Sequence, residues 1–202
     1  FLYEGDSPLA ERRAAALSLD QSLLAQLLGR TELRDLLDPA VLDEVEHELQ
    51  WLADGRQARD GEAVADMLRL LGPLTRDEIE LRSRAGADID HWLDELNASR
   101  RVVTARMAGI EVWCTVEEVS RLRDGLGVPV PPGVPVAFTE AHDDPLGDLL
   151  ARHARTHGPF QITSVARRFG LGEAVVRHTL ERLTARGRLV EGEFRPGGHG
   201  QE

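Results

Sequence analysis

Apolar residues recur at helical spacing along most of this chain, broken by a few short runs that read as extended. In residues 1–54, Leu17, Leu23, Leu24, Leu27 and Leu28 form a stripe that Gly29 is placed to end, and Thr31 caps a short helix, TELRDLL, whose Arg34 faces solvent. Asp38-Pro39 opens a third helix with Val41, Leu42, Val45, Leu49 and Leu52 on one side and acids on the other. The polar residues 55–61 make a linker. A helix then runs through Met67, Leu68, Leu70 and Leu71 to the break at Gly72-Pro73. Thr75 and Asp88 cap two more helices, and the extended runs 101–107 and 110–115 come next, around an Ala108-Gly109 turn.

The last stretch repeats this order. Residues 158–198 predict a short helix opened by Thr163, a turn at 170–172, a longer amphipathic helix, and extended runs at 188–190 and 193–195. The longer helix sets Val176, Thr179, Leu180 and Leu183 on one face and Ala174, His178, Glu181, Arg182 and Ala185 on the other. Gly72-Pro73 aligns with Gly158-Pro159, Leu93 and Leu96 with Leu180 and Leu183, and Arg101 with Arg188, at offsets of 86 and 87. A helix-turn-helix followed by a wing is thus expected twice. The fold class is mainly α with small β wings: a helical module at 1–55, a first winged helix at 61–115, a connector at 116–144 and a second winged helix at 145–198. Within the connector, EEVSRLRDGLG predicts a short helix, and Pro129, Pro131, Pro132 and Pro135 stiffen the residues after it into a strap. Asp143-Asp144 reads as a helix start and not as a metal pair.

Charge changes the picture, because the two copies differ in it. The net charge is −11, yet residues 145–202 hold 9 arginines against 6 acids, while residues 1–60 hold 6 against 13 and residues 61–144 hold 9 against 16. The helix after Asp88 carries Asp90, Asp94 and Glu95, which repel phosphate, so the first copy is expected to pack. In it, His91 and Trp92 are expected in a core or interface, with Trp92 buried beside Leu93, Leu96 and the wing. The second copy offers Arg167 and Arg168 on its first helix, Arg177, His178 and Arg182 on its second, and Arg188 and Arg195 at the wing. For each, the competing reading is an ordinary solvated arginine.

Several chemistries find no support. All 24 basic residues are arginine, so no phosphate loop of the GxxxxGK kind exists. Asp43-Glu44-Val45-Glu46-His47 resembles the acidic motif of nucleotide-driven motors, but it lies in helical period and reads as a solvated face. The single cysteine, Cys114, reads as a small apolar wing residue and points to a reduced, cytoplasmic setting. No apolar run is long enough for a membrane, and no leader pattern opens the chain. Its first residues, FLYEGDSP, read as though mid-domain, as in a piece of a longer polypeptide.

Several strings together resemble one family. LYEGDSPLAERRAAALSLD and ELRDLLDP look like the end of the DEAD/H-associated domain of the large helicase-related (Lhr) superfamily 2 helicases. RLRDGLG with the proline strap, DPLGDLL, ARTHGPF and GRLVEGEFRPGG look like the start of their winged-helix carboxy-terminal extension. The resemblance implies a parent that hydrolyses ATP with Mg, translocates on single-stranded DNA and unwinds duplexes including RNA:DNA hybrids. This chain would be a non-catalytic accessory region, with nucleic acid, the helicase motor and further modules of the same polypeptide as partners. A stand-alone winged-helix transcriptional regulator, a protein-protein scaffold and a base-excision or nuclease enzyme are the other classes. With no phosphate cradle, the chain is expected to show no saturable binding of a labelled ATP analogue at micromolar concentrations; saturation would overturn the motif reading.

Overall fold

A computed structural model describes residues 38–192, 194 and 195. The apolar stripe 17–28, Gly29 and the Thr31 cap lie outside these residues. The described part is mainly α-helical with one antiparallel hairpin. Helix α1 spans Pro39–Leu49, α2 Gly61–Leu71, α3 Arg76–Leu81 and α4 Ile89–Ala98. Strands β1 (Val102–Met107) and β2 (Ile110–Thr115) come next, then α5 (Val119–Leu126), α6 (Pro145–Thr156), α7 (Ile162–Phe169) and α8 (Glu173–Ala185).

The helix starts follow local chemistry. Asp38, Asp60, Asp88 and Asp144 each accept a backbone N–H of the first turn. Thr75 and Glu78 close a capping box, the Glu78 N–H reaching Thr75 Oγ1 at 3.2 Å and the Thr75 N–H reaching Glu78 Oε2 at 2.8 Å. Helix α7 differs from expectation: it begins at Ile162 behind Gln161, which supplies no side-chain cap, so Thr163 lies inside the first turn. Helix α1 ends three residues before Leu52 and contains no buried residue; Val41 and Val45 are exposed.

Two apolar cores share the hairpin. Register pairs Val103 with Cys114, Ala105 with Val112 and Met107 with Ile110. Successive side chains point to opposite faces. Val103, Ala105, Met107, Val112 and Cys114 join Leu122, Leu149, Leu150, Val165, Phe169, Val176 and Leu183 in one core. Val102 and Trp113 turn to the other, with Met67, Leu68, Ile79, Leu93 and Leu96. A further backbone bridge fastens Leu74 to Trp113, with N–H to O distances of 3.0 and 2.7 Å. The turn needs positive φ at both central residues, 51° at Ala108 and 81° at Gly109. Its tip meets α7: a Cβ on Gly170, itself at φ +66°, would lie 3.0 Å from Ala108 Cβ. A side chain there would be both strained and obstructed.

Three expectations change. Arg188–Val190 forms no strand and Glu193 lies outside the described residues, so among the described residues one hairpin wing is seen and not two. Leu74, which pairs with that hairpin, corresponds to Phe160, which lies outside the sheet. Trp92 is half-buried at the margin of the α4 stripe made by Ile89, Leu93 and Leu96, against the start of α2, and Trp113 is the tryptophan that ties hairpin to core. His91 is exposed and 3.5 Å from Glu95, on the face away from that stripe.

The proline strap is held down. Val128, Val130 and Val134 pack on the first-named core, Arg123 Nη1 donates to the Thr139 carbonyl at 3.0 Å, and His142 Nε2 lies 3.0 Å from Ser120 Oγ. Cys114 is fully buried on β2, and burial pushes its thiol up to about 12, with Glu118 adding and Arg152 opposing. A disulfide-exchange reagent at pH 8 is therefore expected to label Cys114 only as the chain unfolds, its labelling tracking a urea titration. Rapid labelling in native buffer would show the hairpin face to be open.

Candidate nucleic-acid interface

The seven candidates, six arginines and His178, fall into two sets. Arg168, Arg182 and Arg195 are engaged within the protein. Arg168 reaches Glu78 at 2.7 Å and the Pro73 carbonyl at 2.8 Å, bridging α7 to the break between α2 and α3. Arg182 binds both oxygens of Asp144, the cap of α6, at 2.9 and 3.1 Å, and Arg186 adds a looser contact at 3.7 Å. These contacts, led by the Arg182 hydrogen bond, hold the Asp144 carboxyl below its ordinary range. Arg195 lies 3.1 Å from Asp43 on α1.

Arg167, Arg177, His178 and Arg188 are exposed, and their side chains make no hydrogen bond or ion pair among the described residues. Helix periodicity explains the division on α8. Val176, Thr179 and Leu183 are buried and Leu180 half-buried, which turns Arg177, His178 and Glu181 outward and leaves Arg182 at the margin, within reach of Asp144. On α4 the outward residues include Asp90, Asp94 and Glu95 beside His91: Asp90 is bound by Arg76 at 2.8 and 3.0 Å, and Asp94 is exposed.

Between the two cores lies a polar seam that no local pattern announces. Gln50, buried at the end of α1, donates to the Thr156 carbonyl at 2.6 Å and accepts from Arg82 at 2.7 Å. Arg82 also donates to the Glu78 carbonyl at 2.9 Å, and Glu46 accepts the Gly158 N–H. The supposed solvated face of α1 therefore includes a brace. Burial raises the Glu78 carboxyl, but Arg168 outweighs it and the net direction is down. Glu118 and Arg152, both largely buried, pair through two contacts, and a Cβ on Gly72 would lie 3.1 Å from the Arg152 guanidinium. Partners 106, 90 and 34 residues apart leave no signal in a window of helical length.

His153 and His157 stack at 3.7 Å between ring centroids, and Phe160 and Phe169 meet His153 edge-on. Burial drives His153 down to about 3, with the charges of His157 and Arg168 adding; burial lowers His157 as well, while its bond to the His153 carbonyl and Glu46 oppose. Among the described residues no group of three His, Cys, Asp or Glu is placed to hold a metal. With no lysine, the chain contains no phosphate loop of the GxxxxGK kind.

A mainly helical architecture that carries, among the described residues, one antiparallel wing and helix-turn-helix geometry is of winged-helix type. The model for the winged-helix domain of large helicase-related protein matches residues 35–141, and the chain belongs to the large helicase-related (Lhr) family. The chain is 57% identical over 195 residues to the Lhr helicase/probable uracil glycosylase of Mycolicibacterium smegmatis, covering 96% of this chain and 13% of that protein. It is 40% identical over 191 residues to the Lhr helicase/uracil glycosylase of Escherichia coli, covering 94% and 12%. The chain thus spans about an eighth of the length of these curated relatives. No described helix is long and apolar enough to cross a membrane.

The histidine pair predicts acid lability with a definite sign. Both imidazoles have folded values below the ordinary 6.5, so their contribution to stability is full above pH 6.5 and is lost as pH falls, for His153 down to about 3. His153 alone should cost about 2 kcal/mol between pH 7 and pH 5. Urea unfolding at the two pH values should show this loss in the wild type and a smaller one in His153→Phe. Equal losses in both proteins would overturn the assignment.

Proposed function

We propose that this chain is a non-catalytic accessory region of an ATP-dependent helicase that positions nucleic acid beside the motor. In this reading residues 1–55 close a helicase-core domain, 61–115 form a winged helix that packs, 116–144 connect, and 145–198 form a second winged-helix unit that contacts the strand. Family membership supports the parent activity, and with it ATP, Mg and a single-stranded DNA or RNA:DNA substrate. The observation that carries the local part is the charge division: Arg167, Arg177, His178 and Arg188 are exposed and uncommitted, while α4 presents acids outward. Phosphate contact by such residues gives affinity without base readout.

The scaffold reading draws on a specific observation too, since Arg168, Arg182 and Arg195 are held by acids and serve as internal braces. The two readings separate in salt dependence. Each phosphate neutralised on duplex adds about 0.9 to the slope of log affinity against log salt. Replacing Arg177 and Arg188 together by Gln is expected to lower that slope by up to about two and to weaken binding alike on all sequences. Asp94→Asn should leave the slope intact. Wild-type affinity and slope in the double variant would replace the nucleic-acid reading with the scaffold.

A further inference from the structure

A cleft between the hairpin and α7 extends the nucleic-acid reading and rests on it. It encloses about 490 Å3, within the range of about 300–1,000 Å3 in which small ligands are held. Met107 and Val112 give it an apolar floor, and Phe160, Ser164 and Arg167 line it from α7 and the turn ahead of it. Ile110, the first residue of β2, also lines it, with 58% of its surface exposed. Single exposed apolar residues are ordinary on protein surfaces. Here one lies beside a groove with an apolar floor and a cation in its wall.

The charges sort themselves in the same direction. Glu78 is neutralised by Arg168, so the acid in this wall has a committed counter-ion. Arg167, the residue before it on α7, is exposed and makes no ion pair among the described residues. His153 and His157 close the back of the cleft as neutral rings at pH 7. An apolar slot with one available guanidinium suits a flat, weakly polar group joined to an anion. A nucleotide has that chemistry, but within a duplex its base faces are covered by its neighbours, so the slot discriminates in favour of an unstacked strand.

We propose that this cleft receives a single unstacked base of a nucleic-acid strand, with Ile110 parting it from its neighbour and Arg167 holding the adjoining phosphate. The ligand class is single-stranded nucleic acid or the frayed end of a duplex. The hairpin thereby has a role beyond joining the cores. Its apolar face forms the floor of the site, and its turn sets where Ile110 stands.

The test uses the whole 202-residue chain and a single strand carrying 2-aminopurine at one position, beside a blunt duplex of the same sequence. Binding to the wild type is expected to raise the fluorescence of the single strand as the probe leaves its stack. Ile110→Ala should abolish that rise and weaken single-strand affinity about fivefold more than duplex affinity, and Ile110→Phe should restore both. Arg167→Gln should lower the single-strand salt slope by about 0.7. Ile110 is exposed, so matched melting curves are expected and would tie any loss to binding. Wild-type fluorescence and affinity in Ile110→Ala would overturn the cleft, and the general reading would stand if Arg177→Gln/Arg188→Gln still lost affinity. Absence of strand binding by the wild type would overturn both.

Discussion

Two cores share one hairpin, and the rest of the architecture depends on that constraint. A two-stranded ribbon is marginal alone in water. Here each face is covered by a different set of helices, Val102 and Trp113 turning to one and Val103, Val112 and Cys114 to the other. The ribbon is stable because it is buried twice, and the helices on either side hold a fixed relation because they bury the same six-residue strands. Glycine at 170 lets the turn approach α7 to contact distance, and the Arg168–Glu78 and Arg152–Glu118 pairs sit on the same boundary.

That boundary explains which arginines remain available. Largely buried pairs gain from being complete more than from being numerous, since removing one partner leaves a desolvated charge behind. Arg152 and Arg168 are consumed in this way across the seam, Arg82 is held there by the Gln50 side chain and the Glu78 carbonyl, and Arg182 is consumed in holding the cap of α6. The positive balance of residues 145–202 therefore overstates their outward charge, and the geometry of α7 and α8 decides which arginines face solvent.

Local chemistry is legible in the sequence, and distant pairing is not. Caps at Asp38, Thr75, Asp88 and Asp144, the turn at Ala108-Gly109 and the buried stripe of α8 all follow from residue types within a turn or two of one another. The start of α7 differs by one residue from the pattern because its cap comes from no side chain, and Trp92 lies less deep than expected because a residue flanking a helical stripe reads much like one within it. The second set of strands is expected by repetition from the first, yet Arg188–Val190 is not strand. Of the candidate site, the residues can be named from the sequence; their division into committed and available depends on acids as far as 90 and 152 positions away.

The strap bears on how this polypeptide could ever be divided. By composition, residues 127–144 read as a proline-stiffened connector between two winged-helix units, which is where a division of the chain would be sought. Yet the hairpin that precedes the strap completes the core that lies beyond it. A cut at the prolines would part each half from a surface it needs, exposing Val103, Met107 and Val112 on one product and Leu149, Val165 and Phe169 on the other. The natural seam of the molecule is a surface shared between α7 and a ribbon some sixty residues earlier, so the units are heritable and movable only as a pair.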